Sequence, residues 1–160
     1  MALDDPDTKR IVVFLESIGI PVIEEPVDPE SFLPGVTIRA GGLVIDPSRY
    51  FYPGDLLHEA GHIAVTDPEL RASGTVSAEP GDEMAAIAWS YAAAQAIGLD
   101  PRIVFHDDGY RGAGATLAEV FGAGSAPGAP MLQYYGMSAE PHQAERLGLA
   151  PYPQMSRWMR

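Results

Sequence analysis

The chain has 160 residues, 46% of them hydrophobic and 20% charged, with 22 acidic against 10 basic side chains and a net charge of −12. That length and balance fit one globular domain with its own core, and an acidic field of this size repels phosphate backbones, so no nucleic-acid partner is expected. There are no cysteines, which excludes disulfides, thiolate metal sites and cysteine nucleophiles and leaves histidine and carboxylate as the metal ligands on offer. The arginines at 39, 49, 71, 102 and 111 are scattered and form no basic patch. Met1 to Arg10 is acidic, without the basic-then-apolar order of a signal peptide, and no apolar run reaches membrane-spanning length. A cytoplasmic protein without membrane contact is therefore expected; oligomeric state is not legible.

With 17 glycines and 15 prolines, the elements should be short and the loops many. Thr8 to Gly19 carries Ile11, Val12, Leu15 and Ile18 at helical spacing and stops at a glycine. Ile20 to Ile23 is apolar and β-branched, a short strand, and Glu24 to Pro34 is proline-punctuated loop. Gly35 to Ile45 reads as a hairpin turning at Gly41-Gly42. An aromatic connector, Ser48 to Pro53, leads to a helix over about Leu56 to Val65, capped by Gly54 or Asp55 and ended by Asp67-Pro68.

Leu70 to Gly81 reads as a polar loop, and Asp82 to Ile97 as an alanine-rich helix stopped by Gly98. Beyond it come a short element from Asp100-Pro101 toward Phe105, a polar turn His106 to Tyr110, and a helical turn or two over Thr116 to Phe121. A small-residue, mobile loop follows over Gly122 to Pro130, then short helices over Met131 to Tyr135 and Pro141 to Leu147. The tail Tyr152 to Arg160 carries Trp158 and is expected to pack back on the core. The aromatics at 50–52, 89–91 and 134–135, and most of the methionines, read first as core packing. The resulting expectation is an α+β fold: a small sheet or hairpin on two principal helices, with short helices toward the C-terminus.

Chemistry concentrates at His58-Glu59-Ala60-Gly61-His62, an HExxH pattern. On a helix, positions i and i+4 share a face, so both imidazoles can reach one ion while Glu59 stands beside it as a general base. An accidental match on a surface helix is the plainer alternative. A catalytic zinc needs a third protein ligand and leaves its fourth position to water. Glu83, 21 positions after His62 in the first turn of the alanine-rich helix, is the favoured ligand. A loop of that length lets this helix fold back antiparallel to the first, presenting Glu83, Ala86, Ile87, Ser90 and Ala94. Asp82, Glu79 and His106 remain alternatives, since acids gather at helix N-termini for macrodipole reasons alone. His142 reads as a surface residue, and Asp107 and Asp108 as turn residues rather than partners of the ligands.

On these residues the stretch from about Gly35 to Gly98 resembles the zincin metallopeptidases of the gluzincin pattern, and more loosely the compact ImmA/IrrE-type bacterial domains. The longer metzincin pattern is absent, as is any recognisable helix-turn-helix segment. The resemblance implies a zincin-like domain and a hydrolase: zinc held by His58, His62 and Glu83, Glu59 passing a proton from water to the leaving amine, and a peptide or protein as substrate. Tyr110 and His106 are the candidate oxyanion donors, and the strand ending near Ile45 a candidate edge for pairing an extended peptide. Two alternatives stand beside this one. One is a non-catalytic zinc domain that binds a partner protein, its site closed by a fourth ligand such as His106. The other is a metal-free domain.

Overall fold

Residues 2–160 are described by a computed structural model, in which eight α-helices surround a three-stranded sheet in an α+β arrangement. Helix α1 (Pro6–Ser17) starts where sequence chemistry dictates: Asp5 accepts from the Thr8 amide at 2.8 Å, and Pro6 lies within its first turn. Its apolar stripe buries Ile11 and Leu15 completely. Strands β1 (Val22–Glu24), β2 (Val36–Arg39) and β3 (Gly42–Ile45) lie in the order β1-β3-β2, with β1 parallel and β2 antiparallel to β3.

This order overturns two sequence expectations. The hairpin turns at Ala40-Gly41, with φ of 52° and 77°, and Gly42 already belongs to β3. Two consecutive left-handed residues match the right-handed twist of the strands, which outweighs the penalty at Ala40. The strand ending at Ile45 is also the central one, wholly buried and paired on both sides, so it has no edge to offer a peptide. The outer edges lie on β1 and on β2, where Leu33 makes an isolated bridge to Val36.

Helix α2 (Pro53–Val65) carries the HExxH motif. It begins a turn earlier than expected: Tyr52 is the N-cap, without a side-chain cap bond, and neither Gly54 nor Asp55 caps. A proline at the first helical position has its φ pre-set and no N–H to orphan, so it substitutes for a capping side chain. The C-terminal carbonyls are satisfied by cations, as the helix dipole favours. Arg71 donates to Thr66 O at 3.1 Å and Arg160 to Val65 O at 3.2 Å.

The supposed polar loop after this helix starts with a short helix, α3 (Pro68–Ala72), because Asp67-Pro68 ends one helix and starts another: Asp67 accepts from the Glu69 amide at 2.9 Å. Helix α4 (Pro80–Ala96) is buried at Ala85, Ala86, Ala88, Trp89, Ala92 and Ala93 and packs chiefly on α2. The two backbones approach closely at Gly61, where an added Cβ would lie 2.7 Å from Ala86 O. In an open helix alanine is better than glycine by about 1 kcal/mol. Here a backbone carbonyl must move, a cost toward the upper end of about 1–3 kcal/mol for overpacking. Gly61→Ala is therefore expected to lower stability in urea unfolding, and a variant as stable as the parent would show that the crossing is not tight.

Four short helices complete the chain: α5 (Pro101–Val104), α6 (Gly114–Gly122), α7 (Ala129–Tyr134) and α8 (Ala144–Leu147). The expected loose loop ends early, since α7 opens at Ala129 and packs against α4. The tail packs back as expected. Trp89 Nε1 donates to Trp158 O at 2.9 Å, and the Arg160 amide to Ala64 O at 2.9 Å. Phe51, Trp89 and Phe105 are core residues, but Tyr50, Met84 and Tyr134 are exposed, against the expectation for their groups. No helix among the described residues is long and apolar enough to cross a membrane.

Candidate metal centre

One helical turn separates His58 and His62, and both rings point from α2 to the first turn of α4, where Glu83 stands. His62 Nε2 lies 2.9 Å from Glu83 Oε2, His58 Nε2 lies 3.6 Å from Glu83 Oε1, and the two Nε2 atoms are 3.1 Å apart. Two ligands held at ~2.05 Å from one ion at the tetrahedral angle are ~3.3 Å apart. The two imidazole nitrogens are near that spacing, and each has a different oxygen of the Glu83 carboxylate within 3.6 Å, so one donor atom from each residue can reach a common ion. Among the described residues this is the one His/Cys/Asp/Glu group whose donor atoms converge this way.

The alternatives for the third position are occupied elsewhere. Asp82 is buried and accepts a hydrogen bond from the Tyr135 hydroxyl. Glu79 is the exposed N-cap of α4. His106 bonds Asp55 Oδ1 through Nε2 at 2.7 Å and stacks on the Tyr52 ring, and it does not join the His–His–Glu group. It lines a second hollow, of about 550 Å³, beside Asp100, Arg102 and Glu119. That geometry sets His106 apart from the group in which an extra ligand would stand. Asp108 accepts from the Tyr52 hydroxyl and His142 is exposed, as turn and surface residues should.

Tyr110, the other expected oxyanion donor, stands beside the group. Its hydroxyl lies 3.0 Å from His58 Nδ1 and is also hydrogen-bonded to Ser90. Ser90 donates to Ile87 O at 2.7 Å. In the tautomer in which His58 Nδ1–H donates to Tyr110, the lone pair is left on Nε2, the atom facing His62 and Glu83.

Burial and charge tune the group. Burial, and then the charge of His62, push His58 down to about 4, against the opposing pull of Glu83, so its imidazole is neutral at physiological pH. Burial opposes charging of His62, yet the hydrogen bond and charge of Glu83 outweigh it and raise its value. The same bond from His62 lowers Glu83. Glu59, partly buried beside the ligands, is pushed up to about 7, first by desolvation and then by Asp55 and Glu83, against the charge of His62.

The donors open onto a cleft of about 720 Å³ whose walls include Leu33, Ile38, Val76 and Leu117, with Asp55, Glu59 and Arg111 among its polar residues. Sequence reading missed Asp55. It precedes Glu59 by one helical turn, so its position on the same face was available; its partner His106, 51 positions away, was not. Compared with known proteins, the chain has no significant match to a family model, a curated protein or a solved structure.

Proposed function

We propose that the protein is a zinc-dependent metallopeptidase of the zincin type, acting on a peptide or protein. The observation that carries this reading is the convergence of donor atoms from His58, His62 and Glu83, with Glu59 lining the same cleft. The donor set suits zinc: two imidazole nitrogens and a carboxylate oxygen, with Tyr110 placed to accept from His58 Nδ1–H. A bound zinc ion would lower the pKa of water toward neutrality and polarise a substrate carbonyl.

The remaining steps belong to the chain's own residues. Glu59, poised near neutrality, takes a proton from the attacking water and passes it to the leaving amine. The outer edge of β2 offers unpaired backbone groups to an extended peptide, and Ile38 of that strand lines the cleft. The open cleft favours hydrolysis over a structural clamp, because a clamp closes its metal with four protein ligands and the expected fourth, His106, is held by Asp55.

The test is metal analysis together with cleavage. Purified, zinc-loaded protein is expected to hold about one equivalent of zinc, as a single catalytic site requires. It should cleave a peptide library, followed by mass spectrometry, in a manner blocked by a chelator. Zinc without any cleavage would favour the clamp; no zinc would end both readings. Tyr110→Phe removes the acceptor of His58 Nδ1–H while keeping the ring. It should weaken zinc binding about 10–100-fold, as loss of an outer-shell partner does, with little change in melting temperature. Chelator competition measures this, and an unchanged affinity would refute the hydrogen-bond chain.

A further inference from the structure

We propose that Arg111 is a carboxylate anchor, so that the substrate presents an acidic group next to an apolar side chain. This rests on the peptidase reading and adds a substrate class to it. Arg111 lines the same cleft as the metal-binding group and is the one lysine or arginine that does. In an acidic chain, the other arginines near acids or helix ends are engaged: Arg39 pairs with Glu25, Arg102 with Asp100, and Arg71 and Arg160 hold helix carbonyls. Among the described residues the Arg111 side chain has no ion pair or hydrogen bond. Arg111 is exposed at the cleft wall, and a guanidinium left free there is a ready two-pronged partner for a planar carboxylate.

The backbone supports the assignment. Tyr110 and Arg111 are both left-handed, with φ of 54° and 55°, a conformation unfavourable for residues with a Cβ. Such strain is retained where a site needs it. Here the turn aims Tyr110 at His58 and sets Arg111 on the cleft wall. The other charged lining residues, Asp55, Glu59 and Glu83, are acids. Away from the metal position, a substrate carboxylate is repelled by the acids of the cleft and favoured against Arg111, which fixes the register of the bound chain. The apolar wall of Phe32, Leu33, Ile38, Val76 and Leu117 then receives the neighbouring side chain.

The experiment uses full-length, zinc-loaded Glu59→Gln, in which bound peptides stay intact. Four labelled probes share one Ala-Leu-Phe-Leu core: amide-capped and neutral, with a free C-terminal carboxylate, or with a capped glutamate at either end. Dissociation constants come from fluorescence polarisation. At least one acidic probe should bind about tenfold tighter than the neutral one, the lower end for a charge-assisted bond at an exposed arginine. The preference should shrink as salt rises. Added Arg111→Gln should erase it and Arg111→Glu invert it, with neutral-probe affinity and zinc content unchanged. Preference for the free C-terminus identifies a terminal carboxylate as the ligand; preference for a glutamate probe identifies a side chain. Equal affinity for all four probes, or a preference surviving Arg111→Gln, overturns the proposal. If the parent cleaves acidic and neutral probes with equal kcat/KM, the anchor falls and the peptidase reading stands. If no probe is bound or cleaved, both fall.

Discussion

Glu59→Gln is expected to lower peptide cleavage by about 10²–10⁴-fold, the contribution of a positioned general base, while zinc content stays at that of the parent. Glutamine keeps the shape of the side chain and cannot take up a proton. The carboxyl is pushed to about 7 chiefly by burial, so its base form is reached near neutrality. Activity of the parent should rise with pH as Glu59 loses its proton, and this acidic limb should be missing from the residual rate of the variant. Stability moves the other way. An acid whose folded value is raised loses stability as pH rises from its ordinary value of 4.5 to about 7 and carries the full penalty above that, so the metal-free variant should melt no lower than the parent at pH values above about 7. Loss of rate with no loss of stability marks a residue kept for chemistry. Undiminished turnover in the variant would remove Glu59 from the mechanism.

Loss of zinc is the second large effect. His62→Ala and Glu83→Ala should each weaken zinc binding by more than a hundredfold, since about 10–16 kcal/mol shared among the ligands of a site is ~3 kcal/mol each. Protons and zinc compete for the same lone pairs. The value of His62 is raised by its bond to Glu83, so affinity should fall as pH drops through a value above the ordinary ~6.5 of histidine, with proton release on binding. The α-helical circular dichroism should survive both changes, because Ile11, Leu15, Leu57 and Trp89 form a core that does not depend on the site. Asp82→Ala is the control. If it, and not Glu83→Ala, releases zinc, the third ligand has been misassigned; the bond from Tyr135 to Asp82 argues against that outcome.

The helices were legible because their signals are short-range. The stripe through Ile11 and Leu15, the glycine after Ile97 and the imidazoles at 58 and 62 all lie within a turn or two of each other. Glu83 was reachable by the same logic, from its place in the first turn of the next helix. The misreadings share one cause. Asp67-Pro68 and Ala40-Gly41 are local, yet each allows two structures, and the neighbouring elements choose between them. Tyr110 and His106 sit near each other in sequence and were given the same role. Packing sends one to His58, 52 positions away, and the other to Asp55.

Sequence alone placed the two imidazoles on one face of a helix, with the Glu59 carboxylate about 100° round from His58, because the 3.6-residue period fixes those angles. Tertiary structure decided which acid stands with the two imidazoles, which strand lies at the centre of the sheet, and that Tyr110 rather than His106 reaches His58. Each of those depends on contacts between residues far apart in the chain, set by how α2, α4 and the sheet pack, and no local rule encodes them.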